Sequence, residues 1–255
     1  MLAPQNVQAR AMIEMDATGL HFRDLNARIH AAVAKGVKTI RLLHVRGQRY
    51  IGTGLRQPVS IEIHGVPGND LAAFMEGPHI TVYGNAQDGC GNTMNAGEIV
   101  IHGHAGDITG LSMRGGKIFI RDNVGYRVGI HMKEYREQRP AIVIGGTAQH
   151  FLGEYMAGGV LVLLGLNTPG GKHMARFIGT GMHGGVMYVR GTLERDQLGK
   201  EVGMVELNED DHALLGRLIE EFCQHFNYDA NEIMRGNFVK LLPLSKRPYG
   251  RLYAY

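Results

Sequence analysis

A step of 19 residues runs through the middle of this chain and sharply restricts what it can fold into. Gly65, Gly84 and Gly103 stand 19 apart, and Met75, Met94, Met113 and Met132 keep the same interval; Met156 and Met182 follow at wider spacings that leave room for insertions. In this frame Ile61, Ile80, Ile99 and Ile118 fall in register, with Ile63, Val82, Ile101 and Ile120 two places later. Apolar residues alternating at period two mark a strand with one buried face. Ile142 with Ile144, Leu161 with Leu163, and Met187 with Val189 carry the ladder to seven rungs if five residues around Lys133 to Arg139 are an insertion.

Each repeat is too short for two strands and a helix, and it is rich in β-branched residues and in the Gly, Asn and Asp of turns. Stacked coils of a parallel β-helix satisfy both facts. Thirty of the 37 glycines lie between Gly47 and Gly191, as expected of a chain that must turn sharply with positive φ in every coil. Methionine is unbranched and fills irregular volume, so the Met series is expected inside the coil rather than on a metal. At roughly 4.8 Å between strands, seven coils make a rod about 30 Å long.

Two regions flank the rod. Before it, Phe22 to Lys35 places Leu25, Ile29, Ala32 and Val33 on one helical face, and Thr39 to Val45 alternates as an entry strand. After it, Asn208 reads as an N-cap with Asp211 three residues on, and Leu214, Leu215, Leu218, Ile219 and Phe222 form the stripe of a helix to about Phe226. Asp229 and Glu232 suit a short second helix, and Phe238 to Tyr255, which opens with a brief apolar strand over Phe238 to Pro243 and continues with Arg, Lys, Pro and Tyr, reads as a docking tail. The expected division is 1–45 for the helix and entry strand, 46–191 for the β-helix, and 192–255 for the helical extension and tail. An open β-helix exposes unpaired coil edges, and flanking helices are its natural caps.

Composition and motifs narrow the function. With 27 Lys+Arg against 24 Asp+Glu and no basic run, the chain shows no electrostatic footprint for nucleic acid or an anionic membrane. The apolar stretch Val160 to Leu164 is far short of the roughly 18 residues of a membrane span, and Met1 to Met15 lacks a leader pattern, so a cytoplasmic protein is expected. Cys90 and Cys223 lie 133 positions apart, which suits free thiols better than a disulfide or an iron–sulfur site. Cys90 sits between Gly89 and Gly91 in the turn of a periodic coil, so a structural thiol is expected. His102-Gly103-His104 invites a metal reading, but His64, Tyr83, His102 and Arg121 occupy one position in successive coils and form an outer-face ladder. Asn69, Asp88 and Asp107 form another at turns. Gly145-Gly146-Thr147 and Thr168-Pro169-Gly170-Gly171-Lys172 do not match a phosphate-binding loop. No catalytic, cofactor-binding or metal-ligating residue is assigned.

Several strings together resemble the GXGXG domain at the C-terminal end of the glutamate synthase large subunit, which also occurs as a separate chain in multi-subunit complexes. They are Gly47-Gln48-Arg49-Tyr50-Ile51-Gly52, Pro67-Gly68-Asn69-Asp70, Gly84-Asn85-Ala86-Gln87-Asp88-Gly89, Met113-Arg114-Gly115-Gly116-Lys117-Ile118 and the run from Gly125 to Tyr135. The resemblance implies a right-handed parallel β-helix of about seven coils. It also implies a non-catalytic scaffold in glutamate biosynthesis and nitrogen metabolism. A class II glutamine amidotransferase subunit would supply ammonia, and a subunit carrying FMN and an iron–sulfur cluster would reduce the imine formed with a 2-oxo acid. Leu2 follows Met1, so no N-terminal cysteine nucleophile is expected, and no cysteine cluster or (β/α)₈ flavin site is read in this chain.

The β-helix subunit of a formylmethanofuran dehydrogenase or formyltransferase/hydrolase complex is the alternative within this superfamily. A carbohydrate-active β-helix enzyme fits less well, because the chain has no Trp and no acidic pair recurring on one face. A hexapeptide acyltransferase would show 18-residue coils in three equal steps. The insertion residues Lys133, Glu134, Tyr135 and Arg136 are the expected partner contact, since a loop that breaks a regular face is free to serve recognition.

Overall fold

The computed structural model describes residues 12–168 and 172–244. Strand β1 (Met12–Asp16), helix α1 (Phe22–Ala34) and strand β2 (Thr39–Arg46) form the entry, with β1 parallel to β2. Leu25, Ile29, Ala32 and Val33 recur at helical spacing and are all buried. They join the interior around Ile40, Leu42 and Ile51, so α1 closes the first coil. Gly36, at φ +82°, ends the helix and lets the Val37 N–H reach the Ala32 carbonyl.

Seven parallel strands follow as the expected rungs: β3 (Ser60–Val66), β4 (Glu76–Tyr83), β5 (Ala96–Ile101), β6 (Lys117–Ile120), β7 (Ala141–Ile144), β8 (Ala157–Leu163) and β9 (Gly184–Arg190). Ile61, Ile80, Ile99, Ile118, Ile142, Leu161 and Met187 are successive partners in register, and each is fully buried. Burying one such side chain contributes about 1.5–3 kcal/mol, so the repeated inward column is the main source of cohesion. Met75, Met94, Met113, Met132, Met156 and Met182 lie in the same core, as their spacing predicts.

The other sides of each coil hold few paired strand residues and are tied by single bonds from one coil to the next. Asp88 Oδ1 accepts from the Asp107 N–H at 2.9 Å, and Asp107 Oδ1 from the Tyr126 N–H at 2.8 Å. Asn85 Oδ1 accepts from the His104 N–H, His104 Nδ1 from the Asn123 N–H, and Asn123 Oδ1 from the Thr147 N–H. These side chains satisfy backbone donors that the turns leave without strand partners. Gly110 shows why the corners need glycine: φ is +72°, and an added Cβ would lie 2.3 Å from Ile142 Cδ1.

Beyond β9 come a 3₁₀ turn (Arg195–Gln197), strand β10 (Val202–Val205), helices α2 (Glu209–Phe226) and α3 (Ala230–Met234), and strand β11 (Phe238–Pro243). The two helices start where the sequence places them. Asn208 and Asp211 exchange side-chain and backbone bonds in a capping box, and Asp229 accepts from the N–H groups of Asn231 and Glu232.

The resting place of α2 follows from the outward column of the rungs. Glu62 and Thr81 are followed in register by Val100, Phe119, Val143, Val162 and Tyr188, an apolar series 1 % exposed or less. Leu215, Leu218, Ile219, Phe222 and Cys223 of α2 and Ile233 of α3 cover that series in a second apolar cluster. The helices therefore close the coil differently, α1 over its first turn and α2 along its outer face. The edge of β9 is taken by β11, antiparallel to it, and β11 in turn pairs with β10. Phe238 to Pro243 is the brief apolar strand expected at the start of the tail, and it is built into the sheet; residues 245–255 of that tail lie outside the described residues. β1 and β10 were not anticipated, because both are short edge strands with weak burial. Among the described residues no helix is long and apolar enough to cross a membrane.

Candidate functional site

Side chains fill the coil from Leu25 to Met187, so ligands and partners meet the described protein on its outer surface and clefts. Cys90 is fully buried, and burial pushes its thiol up to about 12. Such a thiol is not a nucleophile at neutral pH. His64, Tyr83 and His102 stack as the ladder predicts, with centroids 4.8 and 5.1 Å apart, and Phe226 meets His102 edge-on. Arg121 leaves that stack to pair with Asp122 at 3.0 Å. His102 therefore serves a ring stack while His104 serves a turn. Thr147 is held by Asn123 in a turn as well. Of the string from Thr168 to Lys172, residues 169–171 lie outside the described part.

Lys133, Glu134, Tyr135 and Arg136 open the insertion between β6 and β7. Tyr135 and Gln138 exchange backbone bonds of 3.1 and 3.0 Å, which makes the insertion a tight hairpin, and Arg136 takes φ +56° at its tip. The Arg136 guanidinium lies 5.1 Å from the centroid of the exposed Tyr135 ring. At the base, Glu134 pairs with Arg139 at 3.0 Å and accepts the Gly159 N–H at 3.1 Å, fixing the hairpin to β8. Lys133 and Glu134 serve different clefts on either side of this base.

The larger cleft, about 530 Å³, lies between the hairpin, β9, β11 and the start of α2. Asp211 forms its floor. The carboxylate accepts from the Tyr188 hydroxyl at 2.6 Å, the Lys240 ammonium at 2.6 Å and the Asn208 N–H at 2.8 Å. Burial pushes the Asp211 carboxyl up, but the bonds from Asn208, Lys240 and Tyr188 outweigh it and hold its pKa below the usual range. Burial, with the neighbouring Asp211 charge, pushes the Tyr188 hydroxyl well up. Arg139, Asp210 and Arg217 also line this cleft. The sequence marks Asn208 and Asp211 as a cap, whereas Tyr188 and Lys240 join them only through the fold. A tyrosine in an outward column otherwise built of Val and Phe is the one local signal.

A second polar cluster ties α2 to the coil. Glu98 Oε1 lies 2.9 Å from His79 Nε2 and 3.2 Å from His225 Nε2 of α2; one coil on, Lys117 pairs with Glu221 at 2.5 Å. Burial pushes Glu98 up, but the bonds from His225 and His79 prevail and hold its pKa at about 2; the bond to Glu98 raises His79. The Glu98 contribution to stability is present above the unfolded carboxylate value of about 4.3 and lost as pH falls through the folded value. The His79 contribution is full below about 6.5 and lost as pH rises through its elevated value. We therefore expect the urea-midpoint difference between wild type and Glu98→Gln to be largest near pH 5–6 and to shrink on both sides. A pH-independent difference would remove this account of the tether.

The profile of the GXGXG motif family matches residues 24–244. An uncharacterized protein of Methanocaldococcus jannaschii is 49% identical over 250 residues, covering 94% of this chain and 96% of its own length. The family match takes in nearly all of α1, every rung of the coil, the insertion hairpin, and the helices and strands that seal the outer face. On that extent, the chain belongs to the GXGXG motif family.

Proposed function

We propose that this protein is a non-catalytic scaffold subunit of a multi-subunit glutamate-synthase-like complex. A class II glutamine amidotransferase subunit releases ammonia from glutamine, and a subunit with FMN and an iron–sulfur cluster carries out the reductive amination of a 2-oxo acid. The β-helix holds the two together. The observation that carries this reading is the GXGXG family match over residues 24–244, because the family's domain serves as the framework of glutamate synthase. The fold supports it: the coil interior is solid with Ile, Leu and Met, and irregular features such as the Tyr135–Arg136 hairpin stand on the outside.

The test is affinity purification of the tagged chain from its native host, with mass spectrometry and an absorbance spectrum of what co-elutes. Amidotransferase and flavin/iron–sulfur subunits in a yellow-brown pool are the expected result. Molybdenum- or tungsten-enzyme partners would move the chain to the formylmethanofuran branch, and a colourless lone protein would overturn the scaffold reading. Within the complex, Tyr135→Ala combined with Arg136→Ala is expected to reduce co-elution about tenfold, because aromatic and Arg residues dominate interface energies. The circular dichroism of the free chain should not change. Full co-elution of the double variant would exclude the hairpin as a contact.

A further inference from the structure

The second cleft, about 290 Å³, lies on the other side of the hairpin base, and its lining carries positive and hydroxyl groups with no carboxylate. Two side-chain ladders meet there. One is the residue after the Met in successive coils, Arg114, Lys133, Ala157 and His183; the other is the residue before the Met, which supplies Ser112, His131 and Tyr155. The members of the second ladder are held out from the corner by left-handed backbone, with φ of +53°, +55° and +51°. The His131 and Tyr155 rings stack at 5.3 Å and 9°.

Arg114 and Lys133 stand one rung apart, the Lys133 N–H bonding the Met113 carbonyl just before Arg114. Like charges on adjacent rungs repel, and among the described residues no carboxylate lies within 4.0 Å of either one to offset it. The carboxylates nearby are committed elsewhere: Glu134 to Arg139 and Gly159, Glu154 to Arg127 at 2.6 Å, and Glu201 to the Gly181 N–H. The cleft therefore concentrates cationic and neutral donors around a concavity that the protein does not neutralise itself.

We propose that this cleft binds a phosphate group. A phosphate carries about −1.5 to −2 charges at neutral pH and three strong acceptor oxygens. It matches a planar guanidinium fork, an ammonium, the His131 imidazole and a hydroxyl in one pocket; His183 Nδ1 lies 3.1 Å from the Gly181 carbonyl oxygen, which leaves its Nε2 toward the cleft. The volume exceeds that of a bare phosphate, which leaves room for the organic part of a small phosphate monoester against the His131–Tyr155 stack. The proposal is independent of the scaffold reading, and Arg114 lies outside the hairpin on which the partner test rests.

The experiment follows the melting temperature of the purified chain against inorganic phosphate and, separately, ribose 5-phosphate, each compared with chloride at equal ionic strength. Imidazole ¹H–¹⁵N spectra report on His131 and His183. A saturable rise accompanied by shifts of both imidazoles is expected, and Arg114→Ala and Lys133→Ala should each weaken the apparent affinity about tenfold or more. Neither variant should lower the melting temperature in chloride, since each relieves a like-charge contact. Tighter binding of the sugar phosphate would identify a monoester as the ligand; equal affinity would identify the free ion. A linear, unsaturating rise shared by wild type and both variants is the general effect of an excluded salt and would overturn the proposal.

Discussion

Ile99→Asp is expected to leave no folded protein. Ile99 is fully buried between Ile80 and Ile118, in the middle of the inward column. The substitution removes about 1.5–3 kcal/mol of apolar burial and places a carboxylate among Ile and Met side chains with no cation in reach. Their sum approaches the whole stability of an ordinary domain, about 5–15 kcal/mol. In a stacked coil the damage spreads, because each rung is the template for the next. Expression with circular dichroism and urea unfolding checks it: Ile99→Asp should be insoluble or unfolded, while Ile99→Val should lose only about 0.5–1.5 kcal/mol. A soluble Ile99→Asp protein with a normal unfolding transition would mean that the inward column is wrongly assigned. Glu98, one residue earlier, provides the contrast, since there a carboxylate faces out and meets two histidines.

Asp211→Ala is expected to be the most damaging change outside the coil interior. This carboxylate does three things at once: it closes the capping box of α2, accepts the Tyr188 hydroxyl, and neutralises Lys240, whose side chain is 12% exposed. Removing it leaves a nearly buried ammonium and a buried hydroxyl without their partner, a loss of about 3 kcal/mol or more. For a chain of this size that is about 6 °C or more in melting temperature. Because the three bonds share one group, their losses are not additive. Asp211→Ala combined with Lys240→Met is expected to recover part of the loss, since the second change removes the stranded charge and restores apolar cover. An unchanged melting temperature for Asp211→Ala would show that the cleft floor is fully solvated and that α2 is held by its apolar stripe alone.

The rungs, the Met core and the helix caps were legible in the sequence because each depends on residues a short, fixed distance apart. A coil touches chiefly the coil before and after it, so a 19-residue spacing in the chain is also a contact in space, as Ile80 with Ile99 and Asp88 with Asp107 show. The capping pair Asn208 and Asp211 is closer still. The hairpin was legible as an insertion because it breaks the period, but its shape and its two clefts were not.

The landing of α2 was half-written. The outward column turns apolar at Val100, and the stripe from Leu215 to Phe222 asks for such a surface; neither says alone that one meets the other. The sequence by itself determined the repeating coil, its inward face and the membership of its core, because nearest-neighbour stacking converts periodicity directly into contact. Only the tertiary structure decided that Lys117 meets Glu221 across 104 residues and that Tyr188 and Lys240 converge on Asp211. Those contacts arise where the chain leaves the period or returns on its own side, and there no fixed spacing ties position in the sequence to position in space.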